Sequence, residues 1–130
     1  DGLVIVTPEW HGQVPAGLKN FFLMISRFDV GHKPAMIVAV SSADGGSYPV
    51  AELRMSSYKN NRILYIPEHI IVRNVESVLN ENPADNNESP DNYFRERINW
   101  SLDVLLAYAE ALKPVRESGV TLNSKFGNGM

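Results

Sequence analysis

Cysteine is absent from the 130 residues, which removes disulfides, thiolate catalysis and Cys-ligated metal sites. No run of Lys or Arg occurs and the net charge is −3, so nothing electrostatic favours nucleic acid or an anionic membrane surface. No apolar stretch approaches the ~20 residues of a membrane helix. The three histidines, His11, His32 and His69, have neither i,i+4 spacing nor a partnering Glu, so no metal site is expected. Ser41 and Ser42 lack the Gly-x-Ser-x-Gly elbow of serine hydrolases. No internal repeat is visible. The opening is acidic and passes straight into a core-type strand without a signal-peptide pattern, which gives the expectation of a cytoplasmic protein with no membrane partner.

What is present is ordinary for a globular chain: 44% apolar and 21% charged residues, at a length that supports one domain with a core. Leu3-Val4-Ile5-Val6 is a short apolar run without alternation, which reads as a strand buried on both faces. Pro8 ends it and Gly12 permits a tight bend. Pro15 suits a helix start. Leu18, Phe21, Phe22, Ile25 and Phe28 then recur at steps of three and four, one apolar face of a helix over 15–28. Gly31 is the expected left-handed terminator.

A second buried strand follows at 35–40, introduced by Pro34. After the loop 41–47, a helix is expected over 48–59 with Val50, Leu53 and Tyr58 inward. A third strand at 62–66 is expected to break at Pro67-Glu68 before a further extended run, 69–72. The stretch 80–92 is polar and reads as an exposed loop. Ser89-Pro90-Asp91 starts a last helix, to about Glu117, with Phe94, Ile98, Leu102, Leu105, Ala109 and Leu112 as its apolar stripe. Trp100 and Tyr108 flank that stripe, as core or as a subunit contact. Arg54 reads as a solvated or intersubunit charge. Residues 1–120 then form the domain, and 121–130 a disordered tail.

Strand alternating with helix argues a parallel sheet with right-handed crossovers. Parallel geometry brings the loops 8–14 and 41–47 to the same end of the sheet, where ligands of open α/β folds bind. Ser41-Ser42-Ala43-Asp44-Gly45-Gly46 is a strand-to-helix turn of the kind that holds a phosphate, although Asp44 would repel an anion; an ordinary glycine turn is the alternative.

The motif Thr7-Pro8-Glu9-Trp10-His11-Gly12, continuing to Pro15 and Leu18-Lys19-Asn20, resembles the flavin-ring loop of the NADPH-dependent FMN reductase family. The usual form there is Thr-Pro-Glu-Tyr-Asn-x-x-x-Pro-x-x-Leu-Lys-Asn, so Trp10 and His11 depart from it, each keeping a planar group. The resemblance implies a flavodoxin-like α/β fold with a parallel sheet and flanking helices, of which three strands and three helices lie here. It implies FMN and NADPH as cofactors, with hydride passing through flavin N5 to a small-molecule electron acceptor such as a quinone, chromate, an azo compound or free flavin. It also implies a homodimer or homotetramer. Pro8, Glu9, Trp10, His11 and Gly12 would present backbone and ring faces to the flavin, Glu9 serving the loop or a subunit contact. Ser41, Ser42, Asp44 and Gly45 would lie beside the ring, and no side chain is expected to be catalytic.

In that family a Gly-Ser-x-Arg-x-x-Ser phosphate loop precedes this region. None is found in this sequence, so the expectation is the C-terminal two-thirds of such a domain. Two other readings remain open: an interaction module without flavin, and a phosphate- or nucleotide-binding module using loop 41–47.

Overall fold

The computed structural model describes residues 1–129. Three strands, β1 (Leu3–Pro8), β2 (Pro34–Val40) and β3 (Leu64–Val72), form one parallel sheet in the order β1-β2-β3. Helices α1 (Ala16–Met24) and α2 (Arg27–Val30) connect β1 to β2, α3 (Ser47–Met55) connects β2 to β3, and α4 (Glu88–Glu117) follows. β2 is central, and its unalternating apolar run has a direct cause. Ala35, Ile37 and Ala39 face a core shared with Val50 and Leu53 of α3 and Leu18 and Phe22 of α1. Met36 faces the other way, into a cluster with Ile66, Ile70 and Leu105, covered by α4. A strand with helices on both faces has no solvent side to make polar.

β1 departs from the expectation of burial on both faces. Ile5 and Thr7 are buried, but Val4 is 44% and Val6 62% exposed. Within this sheet β1 pairs on one side only, and α4 packs mainly on β2 and β3. The expected helix 15–28 is two helices. Ile25 turns extended (φ −79°, ψ 147°), and Ser26 opens α2 through a capping box. Its Oγ accepts from the Phe28 N–H at 3.2 Å, while Asp29 Oδ2 accepts from the Ser26 N–H at 2.8 Å. Phe21 and Phe28 are consequently exposed. Gly31 is not left-handed (φ −60°); His32 is (φ 56°).

The break expected at Pro67-Glu68 is instead an irregularity within β3. Ala35 aligns with Tyr65, but Ile37 aligns with His69. β3 is the outer strand, where a proline without a donor is tolerated. Arg54 of α3 serves this bulge: its Nη2 donates to Ile66 O at 2.8 Å and Pro67 O at 2.9 Å. Arg54 is therefore a structural donor rather than a free charge. α3 ends at Met55, and Tyr58 beyond it is exposed.

The polar 80–92 stretch is organised by its own side chains. The Asn80 N–H donates to Asn86 Oδ1 at 2.9 Å, and Asn86 Nδ2 donates back to Asn80 O at 3.1 Å. Asp91 Oδ1 accepts the Leu79 N–H at 2.6 Å and its Oδ2 accepts from Arg95 Nε at 2.8 Å. The Arg95 hydrogen bond first, then that of Leu79, hold the Asp91 carboxyl below the usual carboxylate value. In α4, Leu105 and Ala109 are buried while Leu102 is 40% exposed. Trp100 is half-exposed under the Arg97 guanidinium, 4.5 Å from its ring centre. The segment 121–129, read as a disordered tail, has no regular element. Arg62 donates to its Thr121 and Phe126 carbonyls and Arg27 to Gly127 O. Met130 lies outside the described residues.

Candidate functional site

The carboxyl ends of β1 and β2 place Glu9–Val14 and Ser41–Gly46 side by side. The first loop is built on a tight turn. The Trp10 N–H donates to Gln13 O at 3.1 Å, and the Gln13 N–H donates to Trp10 O at 3.0 Å. His11 and Gly12, between them, have φ 51° and 71°. Two central residues at positive φ make a type I′-like turn, which Asn-Gly fits best. His is among the non-glycine residues enriched there, which is why His11 can replace Asn. Trp10 is 68% exposed, so its ring face is presented rather than packed.

Glu9 joins the loops. Its N–H donates to Val40 O at 3.2 Å, and its Oε2 accepts the Gly46 N–H at 2.6 Å. In the second loop, Ser41 Oγ accepts from the N–H groups of Ala43 (3.3 Å) and Gly45 (3.2 Å). Gly46 has φ 99°, and a Cβ there would stand 2.4 Å from Ile71 Cγ2. Glu52 of α3 fixes the far side of the first loop, accepting the Val14 N–H at 2.8 Å and pairing with Lys19 at 2.8 Å. Burial pushes the Glu52 carboxyl up, but the Lys19 and Val14 hydrogen bonds and the Lys19 charge together outweigh it and hold it low.

The site residues read from sequence thus fall into one cluster. Pro8, Glu9, Trp10, His11 and Gly12 form one wall, and Ser41, Ser42, Asp44 and Gly45 the adjoining one, with Asp44 exposed. Arg73, Asn74 and Tyr48 also belong to it and escaped the sequence reading. Arg73 Nε donates to Gly45 O at 3.1 Å and its Nη2 to Ser47 Oγ at 3.3 Å. The Asn74 N–H donates to Ala43 O at 3.2 Å. Tyr48 packs beside Gly12. The signal for Arg73 and Asn74 was topological: the end of a third parallel strand must meet the other two. A cavity of about 370 Å³, lined by Arg73, Asn74, Ser77 and Phe94, adjoins this end of β3. His32 and His69 lie elsewhere, and the described residues hold no cluster of three or more potential metal ligands. None of the described helices is long and apolar enough to cross a membrane.

An open parallel α/β sheet with paired loops at its carboxyl end defines a flavodoxin-like protein. A solved structure titled an oxidoreductase from Corynebacterium diphtheriae superimposes with a TM-score of 0.67 at 17% identity, over 85% of this chain and 56% of that one. The chain thus spans little more than half the length of that protein. The sequence model of the NADPH-dependent FMN reductase family matches residues 1–77. The chain belongs to that family. No curated protein sequence matched it.

Proposed function

We propose that this chain forms the flavin-ring side of an FMN-dependent NAD(P)H oxidoreductase. The observation that carries the reading is the Glu9–Gly46 hydrogen bond, which locks two ring-side loops together at the carboxyl end of the sheet. The loops suit a flat ring with a polar edge. The N–H groups of His11, Gly12, Ser42 and Asp44 donate to no group among the described residues, and each lies on an open loop. They would meet the carbonyl and nitrogen edge of the flavin, with Trp10 or His11 over a face.

When bound, FMN supplies the electron-transfer chemistry between NAD(P)H and a small-molecule acceptor. The residues of this chain position the ring and shield it, and none is assigned acid–base work. The cavity beside Arg73 and Asn74 would admit the nicotinamide or the acceptor. Assembly as a homodimer or homotetramer would also cover exposed apolar side chains such as Val6 and Leu106.

The test is a visible spectrum of the purified protein before and after adding FMN and removing the excess. A retained band near about 450 nm, bleached by NADPH, is expected of a loaded flavoprotein. No retained flavin, in this chain and in any longer form of the protein, would leave the flavin-free interaction module as the better reading.

A further inference from the structure

We propose that a basic cavity at the opposite end of the sheet binds a small phosphate-bearing anion, independently of the flavin loops. The cavity, about 270 Å³, is lined by Arg27, His32, Lys33, Arg62 and Arg116, with the 121–122 segment as one wall. In a chain of net charge −3, four of its twelve Lys and Arg residues line this one space, and among the described residues no carboxylate lines it with them.

Their hydrogen bonds leave the charge largely in place. Arg27 donates to Gly127 O, Arg62 to Thr121 O and Phe126 O, and Lys33 Nζ to Asp29 O at 2.7 Å. Carbonyl oxygens accept N–H groups without neutralising a cation. Among the described residues, Arg116 alone of the four pairs with a carboxylate, that of the mostly exposed Asp1 at 2.6 Å, while the Lys33 charge reaches the exposed Asp29 carboxylate from a greater distance. His32 adds a second observation. Its Nε2 is buried with no partner among the described residues, its left-handed backbone is pinned by an N–H bond to Arg62 O at 2.7 Å, and Arg116 Nη1 donates to its carbonyl at 3.3 Å. Burial, then the Arg62 and Arg116 charges, hold its pKa down, so the imidazole adds no further repulsion.

Several guanidinium groups around a small space suit phosphoryl oxygens, which they can engage bidentately. The volume favours inorganic phosphate or diphosphate over a nucleotide. β2 separates the two regions: its seven residues span about 20 Å, with His32 and Lys33 before it and Ser41 after.

The experiment uses the whole chain without flavin, titrated with inorganic diphosphate and then with inorganic phosphate. Heat of binding is followed calorimetrically and the histidine rings by NMR, with His32 assigned through His32→Gln. Saturable one-to-one binding is expected, with the His32 pKa rising on saturation. Lys33→Gln and Arg116→Gln should each weaken binding about tenfold or more. Lys33 carries the test if Arg116→Gln disturbs folding, because among the described residues its ammonium bonds only a surface carbonyl. Absence of saturable binding, an unmoved His32, or affinity unchanged in Lys33→Gln would overturn the proposal. A parallel FMN titration separates the sites: diphosphate should leave flavin retention unchanged, and competition between the two would overturn their independence.

Discussion

Gly46→Ala tests the loop architecture most directly, because two separable costs meet at one Cβ. Gly46 has φ 99°, and the added Cβ would stand 2.4 Å from Ile71 Cγ2 but an ordinary 3.6 Å from Ala39 Cβ. A non-glycine residue at such a φ costs about 1–2 kcal/mol. Overlap with a packed side chain costs typically about 1–3 kcal/mol more, since α3 or Ile71 must shift. The expected loss is therefore about 3 kcal/mol, a large fraction of the stability of a small domain. Ile71→Ala removes the clashing Cγ2. Alone it should cost about 1–2 kcal/mol, below the usual range for a fully buried site because Ile71 is only partly buried. In the double variant the overlap disappears while the backbone strain remains. Its loss should fall short of the sum of the single losses by the overlap cost, about 1–3 kcal/mol. Urea denaturation at neutral pH, with the m-value checked for constancy, measures all four proteins. Additivity to within about 0.5 kcal/mol would refute the steric account. A Gly46→Ala protein as stable as the parent would refute the positive-φ turn itself.

Glu9→Ala leaves the buried Gly46 N–H without its charged acceptor and should cost about 1–2 kcal/mol, with Glu9→Gln milder. Denaturation midpoints and retained FMN report it, and an unchanged value in both would sever the proposed link between the loops. Among the described residues, Ser101 Oγ is fully buried in α4 with no partner, so Ser101→Ala should stabilise by about 1 kcal/mol; a lower melting temperature would show an unseen partner. Asp29, Glu52 and Asp91 have folded-state pKa values below their ordinary ones, so the folded protein binds fewer protons than the unfolded chain. Stability should be full near neutrality, begin to fall as pH drops through the ordinary histidine range because His32 is also held below its usual value, and fall further below about pH 5 as these carboxyls protonate. Asp91→Asn should flatten that acid limb; an identical pH profile would count against the Leu79–Asp91–Arg95 contact.

The parts of the fold legible in the sequence were those fixed by local pattern. β2 is apolar on every residue because both of its faces are covered, and no other element type suits so short a run between Pro34 and the Ser41 turn. β1 has the same composition but a different fate. Exposure of Val4 and Val6 depends on what lies beside the strand, which no local pattern encodes. The split between α1 and α2 was written in the chain as Ser26-x-x-Asp29, a capping-box signature. Phe28 continued the three-and-four spacing of Leu18 and Ile25 and hid it. Pro67 misled for a related reason: a proline breaks a central strand but is tolerated on an outer one, and strand order emerges only from the whole sheet.

The loop motif was legible because its residues answer local demands, but the reasons differ from those the sequence suggests. His11 reads as a planar substitute for Asn, whereas the backbone asks of it a positive φ next to Gly12. Glu9 reads as a local loop residue, yet its partner is Gly46, on the next crossover. Arg73 was invisible as a site residue because nothing adjacent to it in sequence explains it; its partners, Gly45 O and Ser47 Oγ, lie on that same crossover. The second loop is thus held from both flanks by residues ending neighbouring strands, a carboxylate on the N–H of Gly46 and a guanidinium on the carbonyl of Gly45. That arrangement spends the backbone groups facing the neighbouring strands. It leaves the Ser42 and Asp44 N–H groups without a partner among the described residues, free to meet the ligand edge proposed above.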